Sequence, residues 1–272
     1  MLNAISIDLE DWFCVNNLRG AIRREDWDSQ VSRVARNTRL LLHLLAMHRT
    51  EATFFVLGWV AERIPDLIEE IDREGHEIAT HGYSHRLITE MTPEEFDADL
   101  QRALDVTRRC TKQEIVGFRA PSFTITSKTL WAADILVKHG IKYDSSVFPI
   151  GFHPDYGIPG ASLSVFPLRD GLVEFPLSCA DYGRLRVPCS GGGYFRLLPY
   201  RVTRLLLRRC NSRGRPVMFY LHPWEIDHHQ PRVDLPPLKK FRHYINLDRT
   251  FSRLDRLLRD FSFTSTRKVL GL

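Results

Sequence analysis

The chain has 272 residues, 43% of them hydrophobic and 26% charged. This is a globular balance that excludes a fibrous or low-complexity polypeptide and is enough for one large α/β domain or two small ones. The formal net charge of +5 raises nucleic acid as a partner. However, basic residues such as Arg102, Arg108, Arg109, Arg204, Arg208 and Arg209 are spread over helix faces with no recognised binding motif, so nucleic acid is not expected.

The first residues, MLNAISIDLEDWF, carry no basic region ahead of a long apolar segment. No later run approaches the roughly 18 apolar residues of a membrane span. The expectation is a cytoplasmic protein, working at the inner membrane face if a membrane is involved. Cys14, Cys110, Cys179, Cys189 and Cys210 are odd in number and lie far apart, so they read as reduced, packed thiols rather than a zinc knuckle or redox centre.

In chain order, the strand NAISID is followed by a helix over 37–48, the strand ATFFVLG and a helix over 62–74 that stops at Gly75. HEIATHG is the next strand. Thr92-Pro93-Glu94-Glu95 is a capping box with proline at the first helical position, and Phe96, Leu100 and Leu104 then recur at helical spacing. IVGFRAP, a helix through Trp131 and Ile135 ending at Gly140, and IKYDSSVF continue the alternation. Residues 151–199 are rich in Gly and Pro and read as long loops or a β-hairpin excursion. A helix over 200–210 and the strand PVMFYLH restore regularity. Repeated β-then-α units favour a parallel sheet or barrel with functional residues at the carboxyl ends of the strands.

The polar residues obey that rule. Asp8, Glu10 and Asp11 follow the first strand; His81 and His85 follow HEIAT; Arg119, Asp144 and His222 follow three later strands. The i, i+4 pair His81 and His85 suits two ligands of one divalent ion, and a carboxylate completes a three-ligand site with an open position for water. A second carboxylate that stays free serves as general base, which accounts for crowding negative charge into DLED. Glu10 shares the strand face of Asp8 by period two, whereas Asp11 reaches the rim only if the chain bends; spacing does not choose between them. His222 is a candidate general acid for a leaving amine, and Arg119 a candidate partner that keeps Asp8 ionised. SGGGY at 190–194 lacks the lysine and the strand-to-helix context of a phosphate loop and reads as a flexible lip. Trp12, Trp59, Tyr194, Tyr220 and Trp224 are candidate sugar-stacking rings, more of them core than groove.

The ordered set SIDLEDW, THGYSH, GFRAPSF, KYDSSVF and FYLHPWE, over residues 4–225, resembles the five motifs of the polysaccharide deacetylases of carbohydrate esterase family 4, the NodB homology domain. ATFFVLGWVAER, GGGYFRLLPY and the tail around FRHYINLDRT look like the exosortase-associated branch. The resemblance implies an α/β fold: a distorted, seven-stranded (β/α) barrel with a loop or hairpin insertion. It implies a single domain over 1–272, with its core at 4–225 and a C-terminal extension at 226–272. It also implies metal-dependent removal of N-acetyl groups, usually with Zn2+, from an acetylated amino-sugar polymer or a lipid-linked oligosaccharide, beside an exopolysaccharide assembly complex at the membrane.

Carried over by position, Asp8 is the base, His81 and His85 are metal ligands with Glu10 or Asp11, and Arg119 is the partner of the base. His222 is the acid, Asp144 orients His222, and the amide following Pro121, that of Ser122, is an oxyanion donor. Tyr194 and Trp224 fall at the substrate groove. Leu9 interrupts the adjacent aspartates usual in the first motif; Gly82 replaces a serine or threonine, and Phe148 a common tryptophan. A metal-free amide or ureide hydrolase of the same fold and a non-catalytic polysaccharide-binding or export partner are the alternative readings.

Overall fold

A computed structural model of the chain describes residues 1–151 and 156–272. Part of the expected excursion at 151–199, residues 152–155, therefore lies outside the described residues. The first half alternates as the sequence pattern expects. Strands β1 (Leu2–Leu9), β2 (Thr53–Val56), β3 (Glu77–Thr80), β4 (Gly117–Phe118) and β5 (Tyr143–Asp144) are separated by helices α1 (Val34–Met47), α2 (Gly58–Arg63), α3 (Pro65–Arg73), α4 (Pro93–Arg108) and α5 (Ala132–Lys138). The single helix expected at 62–74 is two, broken where Ile64 (φ −134°, ψ 60°) leaves the helical conformation ahead of Pro65. Both halves of the α4 capping box form: Glu95 N–H donates to Thr92 Oγ1 (3.2 Å), and Thr92 N–H to Glu95 Oε2 (2.9 Å).

The Gly/Pro-rich stretch forms two hairpins, β6 (Phe166–Arg169) with β7 (Leu172–Glu174) and β8 (Cys179–Tyr182) with β9 (Leu185–Pro188). Helices α6 (Gly192–Leu197) and α7 (Tyr200–Ser212) lead into β10 (Met218–Leu221). The tail adds α8 (Pro237–Tyr244), α9 (Leu247–Asp260), β11 (Ser262–Thr264) and α10 (Thr266–Leu270).

Nine strands form one sheet in the order β10-β1-β2-β3-β4-β5-β7-β6, with β11 beside β1. All pairs are parallel except the β6–β7 hairpin. Ala4 pairs with both Met218 and Thr264, so β10 and β11 lie on opposite edges of β1; β11 and β2 share one edge in succession. The sheet curls into a half-barrel: Arg119, just past β4, bonds to Ser6 and Asp8 of β1, three places away in the strand order. The open side is stitched by the β8–β9 segment, where Met218 N–H donates to Ser178 Oγ (2.9 Å) and Tyr220 N–H to Ser190 O (2.7 Å).

Strand alternation divides the molecule in two. Ile5, Ile7, Leu9, Phe54, Val56, Ile78, Phe219 and Leu221 face the helices and form the main apolar core. Ala4, Phe55, Ala79, Tyr143, Met218 and Tyr220 face inward, in register with Asp8, His81 and His222 at the strand ends. The inner column is thus polar at its upper end. All five cysteines are buried and free, and no helix among the described residues is long and apolar enough to cross a membrane.

Candidate active site

Six of the ionisable groups expected at the rim converge, each at or just past the carboxyl end of a parallel strand. Arg119 is fully buried and spends its guanidinium on four acceptors. Nη1 donates to Asp8 Oδ1 (2.6 Å) and Ser6 Oγ (2.7 Å), Nε to Ser145 O (2.9 Å), and Nη2 to Ser145 Oγ (2.9 Å). Phe55 closes the guanidinium face at 4.1 Å. A buried guanidinium with four of its five N–H groups bonded fixes the Asp8 carboxylate in place, because either partner alone would be an uncompensated buried charge.

Glu10, two residues on and on the same face, comes together with His81 and His85: the ligand atoms of the three lie within 4.8 Å of one another. His81 and His85 sit in a loop after β3, not on a helix, and the turn uses left-handed backbone at Gly82 (φ 69°) and His85 (φ 53°). His81 Nδ1 donates to Arg119 O (2.8 Å), which fixes the tautomer and leaves Nε2 as a lone-pair donor. Burial, and next the neighbouring His85, push the imidazole down to about 3, so it is neutral, the form that binds metal.

Glu10 is wholly buried. Burial opposes its charge, but His85, His222 and His81 together hold its carboxyl below the ordinary value. His85 Nε2 is 2.9 Å from Glu10 Oε2, and this buried oxygen has no other donor. Two imidazoles and one carboxylate whose ligand atoms lie within 4.8 Å of one another are the donor set a divalent ion takes.

Asp11 is turned away. Its oxygens accept from Ser32 Oγ (2.5 Å) and from the backbone N–H groups of Trp12, Arg33 and Val34, which cap the start of α1. Burial raises its carboxyl above the ordinary value against these bonds.

His222 faces the cluster from β10, with Nε2 3.2 Å from Glu10 Oε1 and 3.7 Å from Asp8 Oδ2. Burial opposes its charge, but the hydrogen bond to Glu225 and the charges of Glu10, Glu225 and Asp8 outweigh it and hold the imidazole up to about 9. The expectation that Asp144 orients His222 is corrected by strand parity. Tyr143 and Ser145 point inward, so Asp144 points out, where it bonds to Ser146 Oγ and faces Glu174 on β7. Burial raises Asp144 to about 6, and burial with the charge of Asp144 holds Glu174 well above its ordinary value.

The group against His222 is instead Glu225, at 2.7 Å from Nδ1. Its other oxygen accepts from Arg196 Nε (2.6 Å). Sequence reasoning passed over both. Glu225 was within sight, because proline at N1 followed by glutamate at N3 in His222-Pro223-Trp224-Glu225 is a capping-box pattern; Arg196 had no local signal.

The remaining expected residues divide. Ser122 and Phe123 are consecutive non-glycine residues with positive φ (52° and 57°), a strained turn of the kind found at functional sites. It follows Pro121 at the rim. Tyr194 is half-buried against Phe148 (6.1 Å), at the end of an aromatic cluster that runs through Phe123 and Tyr220 to His222. Trp224 is not a stacking platform: it is 6% exposed and packs against His222 and His243 (5.2 and 4.6 Å). Trp12, Trp59 and Tyr220 are core. Gly191 (φ 129°) lies where a Cβ would sit 1.9 Å from Tyr220 O, so the glycine run serves close packing on β10.

Residues 27–143 match the family described as polysaccharide deacetylase, and residues 145–271 match a domain of unknown function, DUF3473. The chain is 32% identical over 142 residues to a peptidoglycan deacetylase of Helicobacter pylori, covering 52% of this chain and 45% of that protein. It is 32% identical over 97 residues to a chitooligosaccharide deacetylase of a Bradyrhizobium species, covering 35% of this chain and 42% of that one. It thus spans less than half the length of these relatives. A Mycobacterium smegmatis structure assigned as a polysaccharide deacetylase superposes with a TM-score of 0.62 at 18% identity, covering 99% of this chain and 90% of that one, which establishes the shared fold.

Proposed function

Residues 27–143 of this chain belong to the polysaccharide deacetylase family, and from that premise we propose that the chain is a metal-dependent hydrolase. It would remove N-acetyl groups from an amino-sugar polymer or its lipid-linked precursor, in exopolysaccharide biosynthesis. The observation that carries the reading is the convergence of Glu10, His81 and His85 beside the Asp8–Arg119 and His222–Glu225 pairs.

Glu10, His81 and His85 would hold a divalent ion, zinc by the chemistry of this donor set, which when bound supplies Lewis acidity and a water of lowered pKa. The protein's own groups do the rest. Asp8, held in place by Arg119, takes the proton of the attacking water. The Ser122 amide, in the left-handed turn after Pro121, would donate to the oxygen that gains charge on the acetamide carbon. His222, charged at neutral pH and held through Nδ1 by Glu225, gives the Nε2 proton to the leaving amine. Arg196 keeps Glu225 ionised, so the proton stays on His222 until the C–N bond breaks. Tyr194, at the end of the aromatic cluster, would contact the substrate.

Acetate release from N-acetylglucosamine oligomers and from peptidoglycan, with and without a chelator, tests the reading. Release that the chelator abolishes and Zn2+ restores is expected; chelator-insensitive release would favour a metal-free amide hydrolase.

A further inference from the structure

Helix α8, PLKKFRHY, touches the site through His243. His243 is its sole buried side chain and stacks on Trp224, which in turn stacks on His222. Tyr244 is half-buried against the main core, and residues 237–241 are exposed. Leu238 and Phe241, three residues apart and so neighbours on the helix surface, are 70% and 53% exposed. Leu197, 49% exposed, ends α6, which packs on α8.

Lys239 and Lys240 are exposed on either side of the Leu238–Phe241 face, and α8 itself contains no acid. The nearest carboxylate to Lys240 is the fully exposed Asp234, at 4.0 Å. Lysine is depleted in the cores of protein interfaces, which argues against a protein partner on this helix. An apolar face flanked by lysines suits a lipid headgroup region: Leu and Phe enter the acyl boundary while flexible ammonium groups reach the phosphates. The chain's charge of +5 acts in the same direction.

We infer that α8, with Leu197 beside it, docks this protein on an anionic bilayer surface and brings the His222 side of the site to the membrane. The inference does not depend on the reaction, and its test reads no activity.

The purified full chain is floated with phosphatidylcholine vesicles and with mixed phosphatidylcholine/phosphatidylglycerol vesicles. The wild type should float with the mixed vesicles and stay behind with the neutral ones. Leu238→Ser/Phe241→Ser and Lys239→Glu/Lys240→Glu should each lower the bound fraction at least about tenfold, with thermal melting unchanged because these side chains are exposed. Wild type that fails to float, or variants that float like it, would overturn the inference. So would a self-association in sedimentation that Leu238→Ser/Phe241→Ser abolishes, which would assign the patch to a second copy of the chain.

Discussion

Glu225 Oε1 lies 2.7 Å from Nδ1 of His222, and the salt bridge of Glu225 to Arg196 (2.6 Å) is buried on both sides. Asp144, the residue whose position in the motif order implies this task, stands on the other face of β5, paired with Glu174. Glu225→Gln should therefore lower kcat for acetate release by at least about tenfold while moving KM little, because it weakens the charged acid and not the groove. Asp144→Asn should leave kcat within about threefold, since the partner of His222 is untouched. The reverse ranking in steady-state kinetics would return the orienting role to Asp144.

Glu10 and Asp11 are adjacent in sequence and opposite in consequence. Glu10→Gln should abolish metal binding with the fold intact. Asp11→Asn should keep the metal and lower stability by about 1 kcal/mol through a weakened cap on α1. Metal analysis and urea unfolding of the two variants check both halves; loss of metal in Asp11→Asn would make Asp11 the ligand.

Asp8 and Arg119 form a pair with no solvent access. Asp8→Asn should remove the base and lower kcat by about 10²–10⁴-fold. It should also destabilise the protein by about 3–5 kcal/mol, because Arg119 keeps its charge without a counter-ion. A variant as stable as the wild type, or with near-normal turnover, would contradict the assignment.

His76 gives a pH signature away from the site. Burial pushes its imidazole down to about 4, and its Nδ1 accepts from Ala52 N–H (3.2 Å). The folded value lies below the unfolded value of about 6.5, so the unfolded chain binds the extra proton first. This stabilisation is complete above about pH 6.5 and is lost as pH falls towards 4, by about 3 kcal/mol. His76→Gln, which keeps an acceptor for Ala52, should flatten the stability profile across that window in urea titrations; an unchanged slope would show that His76 is not its source.

The sheet and its rim were legible because strand alternation and strand-end chemistry are both written locally. Asp8 and Glu10 share parity, and His81 and His85 sit one turn past a strand. The same parity places Asp144 outside the rim, since it alternates with Ser145, but motif order pointed the other way. The tail's return was not legible: β11 pairs with β1 across most of the chain length, and nothing local in Ser262–Thr264 announces a partner so distant. Arg196 was invisible for the same reason, being 29 residues from Glu225 and on a helix too short to show periodicity. Trp224 looked like a sugar platform because an aromatic beside a catalytic histidine is one often enough; His243, from the far side of the extension, fills that space instead.

The most direct test is metal content per chain of protein purified without affinity-tag metals and re-equilibrated with Zn2+, compared with Glu10→Gln, His81→Ala and His85→Ala. About one ion per wild-type chain, lost in all three variants, is the predicted result. A wild type that binds no metal, or variants that bind as much as it does, would contradict the account.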